Sequence, residues 1–151
     1  MTELSYILIV EDNQDDYEAT LRSFKKNRFM NPIKWCKNGK EALDLILPEE
    51  DEEHTKLINP NIILLDLNMP GINGREVLKV LKSYPKTRSI PVIILTTSAD
   101  EKDIEHCYQL GASTYIQKPV SFEGLTEAIK KIQDYWFGIA ILPKQINSTS
   151  H

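Results

Sequence analysis

Three short runs decide most of what this chain can fold into. Tyr6-Ile7-Leu8-Ile9-Val10, Ile62-Ile63-Leu64-Leu65 and Val92-Ile93-Ile94-Leu95 are apolar throughout, rich in β-branched residues, and bounded by Pro, Asn or acids. They are too short for helices, and unbroken apolarity means burial on both faces, so each reads as a central strand of a parallel sheet. Two mixed runs, Ile33–Cys36 and Thr114–Gln117, carry polar residues and read as the edges of that sheet, where one side meets water.

Helical patterns fill the gaps. Tyr17, Leu21 and Phe24 give i, i+4, i+7 spacing after Asp15 or Asp16, either of which can cap a helix. Ala42, Leu43, Leu45 and Ile46 follow Asn38-Gly39, and Val77, Leu78 and Leu81 follow Gly74. Ile104 and Tyr108 follow Ser98-Ala99-Asp100, with Gly111 placed to stop that helix. Leu125, Ile129, Ile132 and Trp136 form an apolar stripe from Phe122 to Phe137, capped by Ser121. Strict alternation of strand and helix predicts an α/β fold: a doubly wound five-stranded parallel sheet, order 2-1-3-4-5, with helices on both faces (flavodoxin-like). One domain over residues 1–137 is expected, followed by a partly disordered tail, 138–151, with no room for a second domain.

Composition narrows the partners. The formal charge of −4 among 151 residues is carried by the run Glu49-Glu50-Asp51-Glu52-Glu53, read as a solvated loop, and the rest of the chain is near balance. That argues against a nucleic-acid surface. Cys36 and Cys107 match no metal spacing and read as reduced, semi-buried thiols. The first residues lack the basic stretch of a signal peptide, and no apolar run approaches the roughly 20 residues of a membrane span. A cytoplasmic protein is expected, with neither nucleic acid nor membrane as partner.

The chemistry lies where the strands end. Glu11-Asp12 follow the first strand, Asp66 the third, Thr96 the fourth and Lys118 the fifth. In an open parallel sheet ligands bind outside the carboxyl ends of the strands, at the point where strand order reverses, here between the first and third. Three converging carboxylates repel one another unless a cation neutralises them, and hard oxygen ligands suit Mg²⁺. Lys118 and Thr96 complement an anionic group as point charge and hydrogen-bond donor. Together these predict phosphoryl transfer onto Asp66, the nucleophile at the end of the most central strand. Taken singly, each residue has a blander reading, as turn, cap or surface residue; their joint placement at one sheet edge carries the prediction.

The segments Ile9-Val10-Glu11-Asp12-Asn13, Leu65-Asp66-Leu67-Asn68-Met69-Pro70-Gly71 with Gly74, Ile94-Leu95-Thr96-Thr97-Ser98 and Gly111 through Pro119 resemble the receiver domain of two-component response regulators, of the stand-alone, chemotaxis-regulator-like kind. The resemblance covers residues 4–137. It implies that Asp66 accepts a phosphoryl group from a sensor histidine kinase or phosphotransfer protein. It also implies that Asp12 and Asp66 hold Mg²⁺ directly, Glu11 through water, and Asn68 through its backbone carbonyl. Thr96 and Lys118 take phosphoryl oxygens, Tyr115 turns inward when Thr96 moves, and side chains at Asn68 and Ser98 tune the phosphoryl lifetime. The Lys118–Pro119 bond is expected to be cis. Glu11 departs from the Asp found in many receivers, keeping the charge with a longer reach.

The loop before the third strand, Asn73-Gly74-Arg75-Glu76-Val77-Leu78 and the ending Tyr135-Trp136-Phe137 with Leu142-Pro143 also resemble phytochrome-associated, single-domain response regulators, whose kinase is a bacterial phytochrome. On this reading the protein is no enzyme beyond weak autophosphorylation and autodephosphorylation. It signals through the face made by the fourth helix, fifth strand and fifth helix, to a downstream protein or a second copy. The aromatics at 135–137 suggest that face; their other reading is as a cap on the core. Two alternatives are a Mg²⁺-dependent aspartyl-phosphate phosphatase and a non-phosphorylated adaptor. The first wants an acid where Asn68 stands, since an amide cannot pass a proton as a carboxyl does. The second is opposed by intact Asp12, Asp66, Thr96 and Lys118. A flavin-binding reading is opposed by Glu11-Asp12, which would repel a phosphate.

Overall fold

In the computed structural model, which describes residues 6–47 and 59–142, the three apolar runs become β1 (Ile7–Val10), β3 (Ile62–Leu65) and β4 (Val92–Thr96), every residue buried. The mixed runs become β2 (Ile33–Cys36) and β5 (Thr114–Gln117), which are only partly buried. All pairings are parallel and the order is β2-β1-β3-β4-β5, as predicted. The acidic run 49–53 and the end of the tail, 143–151, lie outside the described residues.

The helices are α1 (Gln14–Lys26), α2 (Gly39–Ile46), α3 (Gly74–Ser83), α4 (Glu101–Leu110) and α5 (Phe122–Gly138). Each begins at a side-chain cap: Asn13, Asn38, Asn73, Asp100 and Ser121 accept from backbone N–H groups of the first turn, each cap contributing about 1 kcal/mol. The cap of α1 is therefore Asn13 and not Asp15 or Asp16. Those acids fall inside the first turn, where they face the positive end of the helix dipole. Gly111 ends α4 at φ +112°, a conformation that favours glycine.

Alternation along the buried strands sorts the core into two layers. Leu8, Val10, Ile63, Leu65, Val92 and Ile94 face α2, α3 and α4, which contribute Ala42, Val77, Leu78, Leu81 and Cys107. Ile7, Ile9, Ile62, Leu64, Ile93 and Leu95 face α1 and α5, which contribute Phe24, Leu125, Ile129 and Ile132. The inward face of α4 corrects the expected pattern: Cys107 is its buried residue, whereas Tyr108 is exposed and uses its hydroxyl to accept from the Tyr115 N–H at 3.0 Å. That N–H is a donor which edge strand β5 does not spend on β4, so Tyr108 covers part of the open edge.

The aromatics at the end of α5 divide. Trp136 and Phe137 pack onto the second core layer, Phe137 edge-on to Phe29 at 5.1 Å, while Tyr135 stays half exposed. Beyond α5 the chain turns back far enough for Leu142 to pack on that layer, leaving Ile139 and Ile141 exposed.

Candidate functional site

Register brings the predicted residues to one edge. Val10 lies beside Leu65, Leu65 beside Ile94, and Ile94 beside Tyr115, so Glu11, Asp66, Thr96 and Lys118 all emerge just past the same row. Parity then sets direction. Glu11, Asp66 and Lys118 continue the alternation of Ile9, Leu64 and Ile116, which face α1 and α5, while Thr96 continues that of Ile94. The Asp66 N–H bonds to the Val10 carbonyl at 3.1 Å, and the Lys118 N–H to the Thr96 carbonyl at 2.6 Å, so the ladder holds the site residues themselves.

Glu11, Asp12 and Asp66 each offer a carboxylate oxygen, and these oxygens lie within 4.8 Å of one another. Glu11 and Asp66 are 6% and 8% exposed, whereas Asp12 faces solvent. Burial pushes the Glu11 carboxyl up to about 7, with the Asp66 charge adding to the rise and Lys118 opposing it. Lys118 donates to Glu11 Oε1 at 2.9 Å and to Asp16 Oδ2 at 3.3 Å. Its burial disfavours the charge, but Glu11, through charge and hydrogen bond, with Asp66 and Asp16 behind it, holds the ammonium above its ordinary value. Three acids with one ammonium leave an excess of negative charge that a hard divalent cation fits. Asp16 entered the sequence reading only as a helix cap; its link to Lys118 depends on the rotation of α1, which no strand-end pattern reveals.

Thr96 is fully buried, and its hydroxyl has no hydrogen-bond partner. A buried, unpaired hydroxyl costs free energy. Asn68 is exposed in the loop after β3. Ser98, past β4, donates from Oγ to Asp103 Oδ2 at 2.9 Å. Arg75 of α3 grips the other oxygen of Asp103 through Nη2 at 2.6 Å and Nε at 3.1 Å. That guanidinium, aided by Ser98, holds the Asp103 carboxyl below its usual range. The Tyr115 hydroxyl donates to the Ser98 carbonyl at 3.0 Å, so the ring is already turned inward against the α3–α4 layer while the Thr96 hydroxyl is unpaired. The expected order, in which the ring turns inward only when Thr96 moves, is corrected, because the Ser98 carbonyl alone gives the phenol a partner on the inner side. Arg75 and Asp103 were not foreseen, because their meeting depends on α3 and α4 being neighbours.

The loop after β3 is shaped by Gly74. A Cβ there would stand 2.2 Å from the Asp66 carbonyl oxygen and 2.7 Å from Leu67 Cα, so only glycine lets α3 start this close to the site. Asn73 and Glu76 close a reciprocal capping box over the same turn. The expected cis Lys118–Pro119 bond is corrected: no peptide bond among the described residues is cis, and the trans form, the lower in energy for an X–Pro bond, already delivers Lys118 to Glu11.

Residues 7–130 match the family model for the response regulator receiver domain. The chain belongs to that family. Among its relatives are the "Probable methanogenesis regulatory protein FilR2" of Methanothrix harundinacea, 37% identical over 132 residues (87% of this chain and 83% of that one), and the response regulator Rcp1 of Synechocystis, 32% identical over 137 residues (91% and 92%). The structure of Rcp1 in its Mn²⁺-bound form matches with a TM-score of 0.83 at 31% identity, covering 93% of this chain and 99% of that one. That of the phosphorylated cyanobacterial phytochrome response regulator RcpA matches with a TM-score of 0.84 at 34% identity, covering 94% and 100%. The chain is thus a receiver-domain response regulator of two-component signalling, a signalling protein and not a typical enzyme, with phytochrome response regulators among its relatives. Receiver domains bind Mg²⁺ at an acidic pocket, and such a pocket is present here. Among the described residues no helix is long and apolar enough to cross a membrane.

Proposed function

We propose that Asp66 accepts a phosphoryl group from the phosphohistidine of a sensor kinase or phosphotransfer protein, with Mg²⁺ held by Asp12, Asp66 and the Asn68 carbonyl, and by Glu11 through water. The observation that carries this reading is the convergence of three carboxylates within 4.8 Å at the strand ends. A bound Mg²⁺ would supply positive charge to the site and to the incoming phosphoryl oxygens. An Asp66 carboxylate oxygen attacks phosphorus, the P–N bond breaks as the P–O bond forms, and the departing imidazole retains the electron pair and takes up a proton. The product is an acyl phosphate.

The chain's own residues have separable tasks. Lys118, now shared between Glu11 and Asp16, exchanges a carboxylate for a phosphoryl oxygen. The Thr96 hydroxyl donates to another, ending its isolation. Movement of Thr96 couples to the Tyr115 ring, and through it to the surface of α4, β5 and α5. That surface is the proposed docking site for a downstream protein or a second copy; half-exposed Tyr135 and the groove it lines with Thr114, Ile116 and Lys131 support it. Ser98 and Asn68 set how long the phosphoryl group survives. The likeness to RcpA, a cyanobacterial phytochrome response regulator, supports a bacterial phytochrome as the kinase, and a cytoplasmic location goes with this reading. In domain terms, residues 1–137 form the receiver and 138–151 its tail.

Incubation with acetyl phosphate and Mg²⁺ tests the reading. One base-labile phosphoryl group per chain is expected, absent from Asp66→Asn. Label at another residue, or none in the wild type, overturns it.

A further inference from the structure

The backbone of β1 does not stop cleanly at Val10. The Glu11 N–H still pairs with β2, donating to the Cys36 carbonyl at 3.1 Å. In a parallel ladder the Glu11 carbonyl would next accept from the N–H of Asn38. Asn38 has already left the sheet to cap α2. The vacancy in the ladder is filled by a side chain: the Trp35 indole donates from Nε1 to the Glu11 carbonyl at 2.8 Å.

The indole is itself held. Tyr17 stacks on it with ring centroids 4.1 Å apart and planes 5° from parallel, and the Lys37 ammonium lies 5.3 Å from its centroid. Tyr17 belongs to the first turn of α1, where its N–H bonds to the Asn13 carbonyl at 3.0 Å. Glu11 Oε2 accepts from the Asn13 N–H at 3.2 Å, so the loop from Glu11 to Asn13 is closed from both ends. Both Glu11 and Asp12 project their carboxylates from this loop. Without the indole N–H the Glu11 carbonyl loses this anchor to β2, and the peptide between Glu11 and Asp12, from which both carboxylates project, is released to turn.

From this geometry we propose that Trp35 is a positioning residue for cation binding, holding the Glu11-Asp12 backbone at the angle at which their carboxylates meet Asp66. The proposal rests on the reading that these acids hold a divalent cation. Partners one step removed from metal ligands typically change metal affinity about 10–100-fold; the lower end applies to a contact made through backbone.

The test is Mn²⁺ binding to the full chain, followed by the electron paramagnetic resonance signal of free Mn²⁺, with thermal unfolding of each variant alongside. Trp35→Phe keeps an aromatic ring against Tyr17 and removes the donor, and it is expected to weaken Mn²⁺ binding about tenfold. Ile132→Val, in the α5 core, lowers thermal stability without touching the loop and is expected to leave Mn²⁺ affinity unchanged. Wild-type affinity in Trp35→Phe overturns the proposal, as does an equal loss in both variants. Wild-type protein that binds no Mn²⁺, or binding indifferent to Asp12→Asn, removes the cation reading beneath it and the proposal falls with that reading. A second signature is optical: in Trp136→Phe the remaining tryptophan is Trp35, and its emission is expected to shift on saturation with Mg²⁺. Unchanged emission in a protein that binds the cation counts against the contact.

Discussion

Lys118 and Glu11 stand 107 residues apart in the chain and meet at 2.9 Å, with 10% and 8% of their side chains exposed. Removing one partner of a buried pair costs about 3–5 kcal/mol when the other stays charged. Glu11 has an escape, since burial already lifts its carboxyl to about 7 and loss of the ammonium lifts it further. A carboxyl whose folded pKa lies above its unfolded value loses stability as pH rises between the two. Lys118→Met is therefore expected to be nearly silent at pH 5, where the buried carboxyl is protonated in both proteins, and to cost about 1 kcal/mol at pH 8 without metal, growing as pH rises further. Urea unfolding at the two pH values measures this, and a loss independent of pH would contradict it.

Thr96 presents the opposite problem, a polar group with nothing to bind. Its hydroxyl is buried and unpaired, a situation that costs about 1–3 kcal/mol. Thr96→Val keeps the shape and removes the orphan, so the unphosphorylated variant should be more stable by about 1 kcal/mol. With Mg²⁺ and beryllofluoride, a phosphoryl mimic, the hydroxyl gains a partner in the wild type only, and the order should reverse. Melting temperatures in the two conditions decide; a wild type that stays the less stable in both would show that Thr96 never engages the phosphoryl position.

Gly74 lies against the backbone that carries Asp66. An added Cβ would meet the Asp66 carbonyl oxygen at 2.2 Å, and backbone on both sides leaves little room to yield. Gly74→Ala is expected to cost about 3 kcal/mol, the upper range for overpacking. Because the strain falls on Asp66 and Leu67, Mn²⁺ affinity should drop as well. Calorimetric unfolding and Mn²⁺ titration report the two effects separately, and an alanine variant normal in both would mean that α3 can slide outward at no cost.

What could be read beforehand followed from local pattern. Unbroken apolarity in β1, in β3 and over Val92–Leu95 of β4 gave their burial, and mixed composition gave the edges β2 and β5, because strands covered on two faces carry few polar side chains. Buried Thr96, which closes β4, is the exception and belongs to the site. The site residues were legible because chain direction in a parallel sheet sends every strand end to the same edge. What escaped depends on how elements pack. Asn13 is hard to single out as the cap of α1 because Glu11, Asp12, Asp15 and Asp16 crowd around it and only backbone geometry distinguishes a cap from a first-turn residue. Within the mixed run Ile33–Cys36 nothing singles out Trp35, yet its indole serves the Glu11 carbonyl just past β1. Asp16 and Lys118 find each other only once α1 lies over the sheet.

The link from Arg75 through Asp103 to Ser98 is likewise a product of packing, and it makes a pH-dependent prediction. Arg75 and Asp103 are only 26% and 21% exposed, so their paired hydrogen bonds are expected to contribute about 1 kcal/mol after allowance for solvent. Asp103 has a folded pKa below its ordinary value of 3.8, chiefly through Arg75. Such a group stabilises the fold fully above its unfolded pKa, and the contribution is lost as pH falls through the folded one. Asp103→Asn should therefore be about 1 kcal/mol less stable than the wild type at pH 7, with the gap closing below pH 4. The same substitution frees the Ser98 hydroxyl and loosens the carbonyl that receives the Tyr115 hydroxyl. Nuclear magnetic resonance of the Tyr115 ring should then show averaging between inward and outward positions where the wild type shows one. A Tyr115 ring as well ordered in Asp103→Asn as in the wild type would separate the α3–α4 ion pair from the switch.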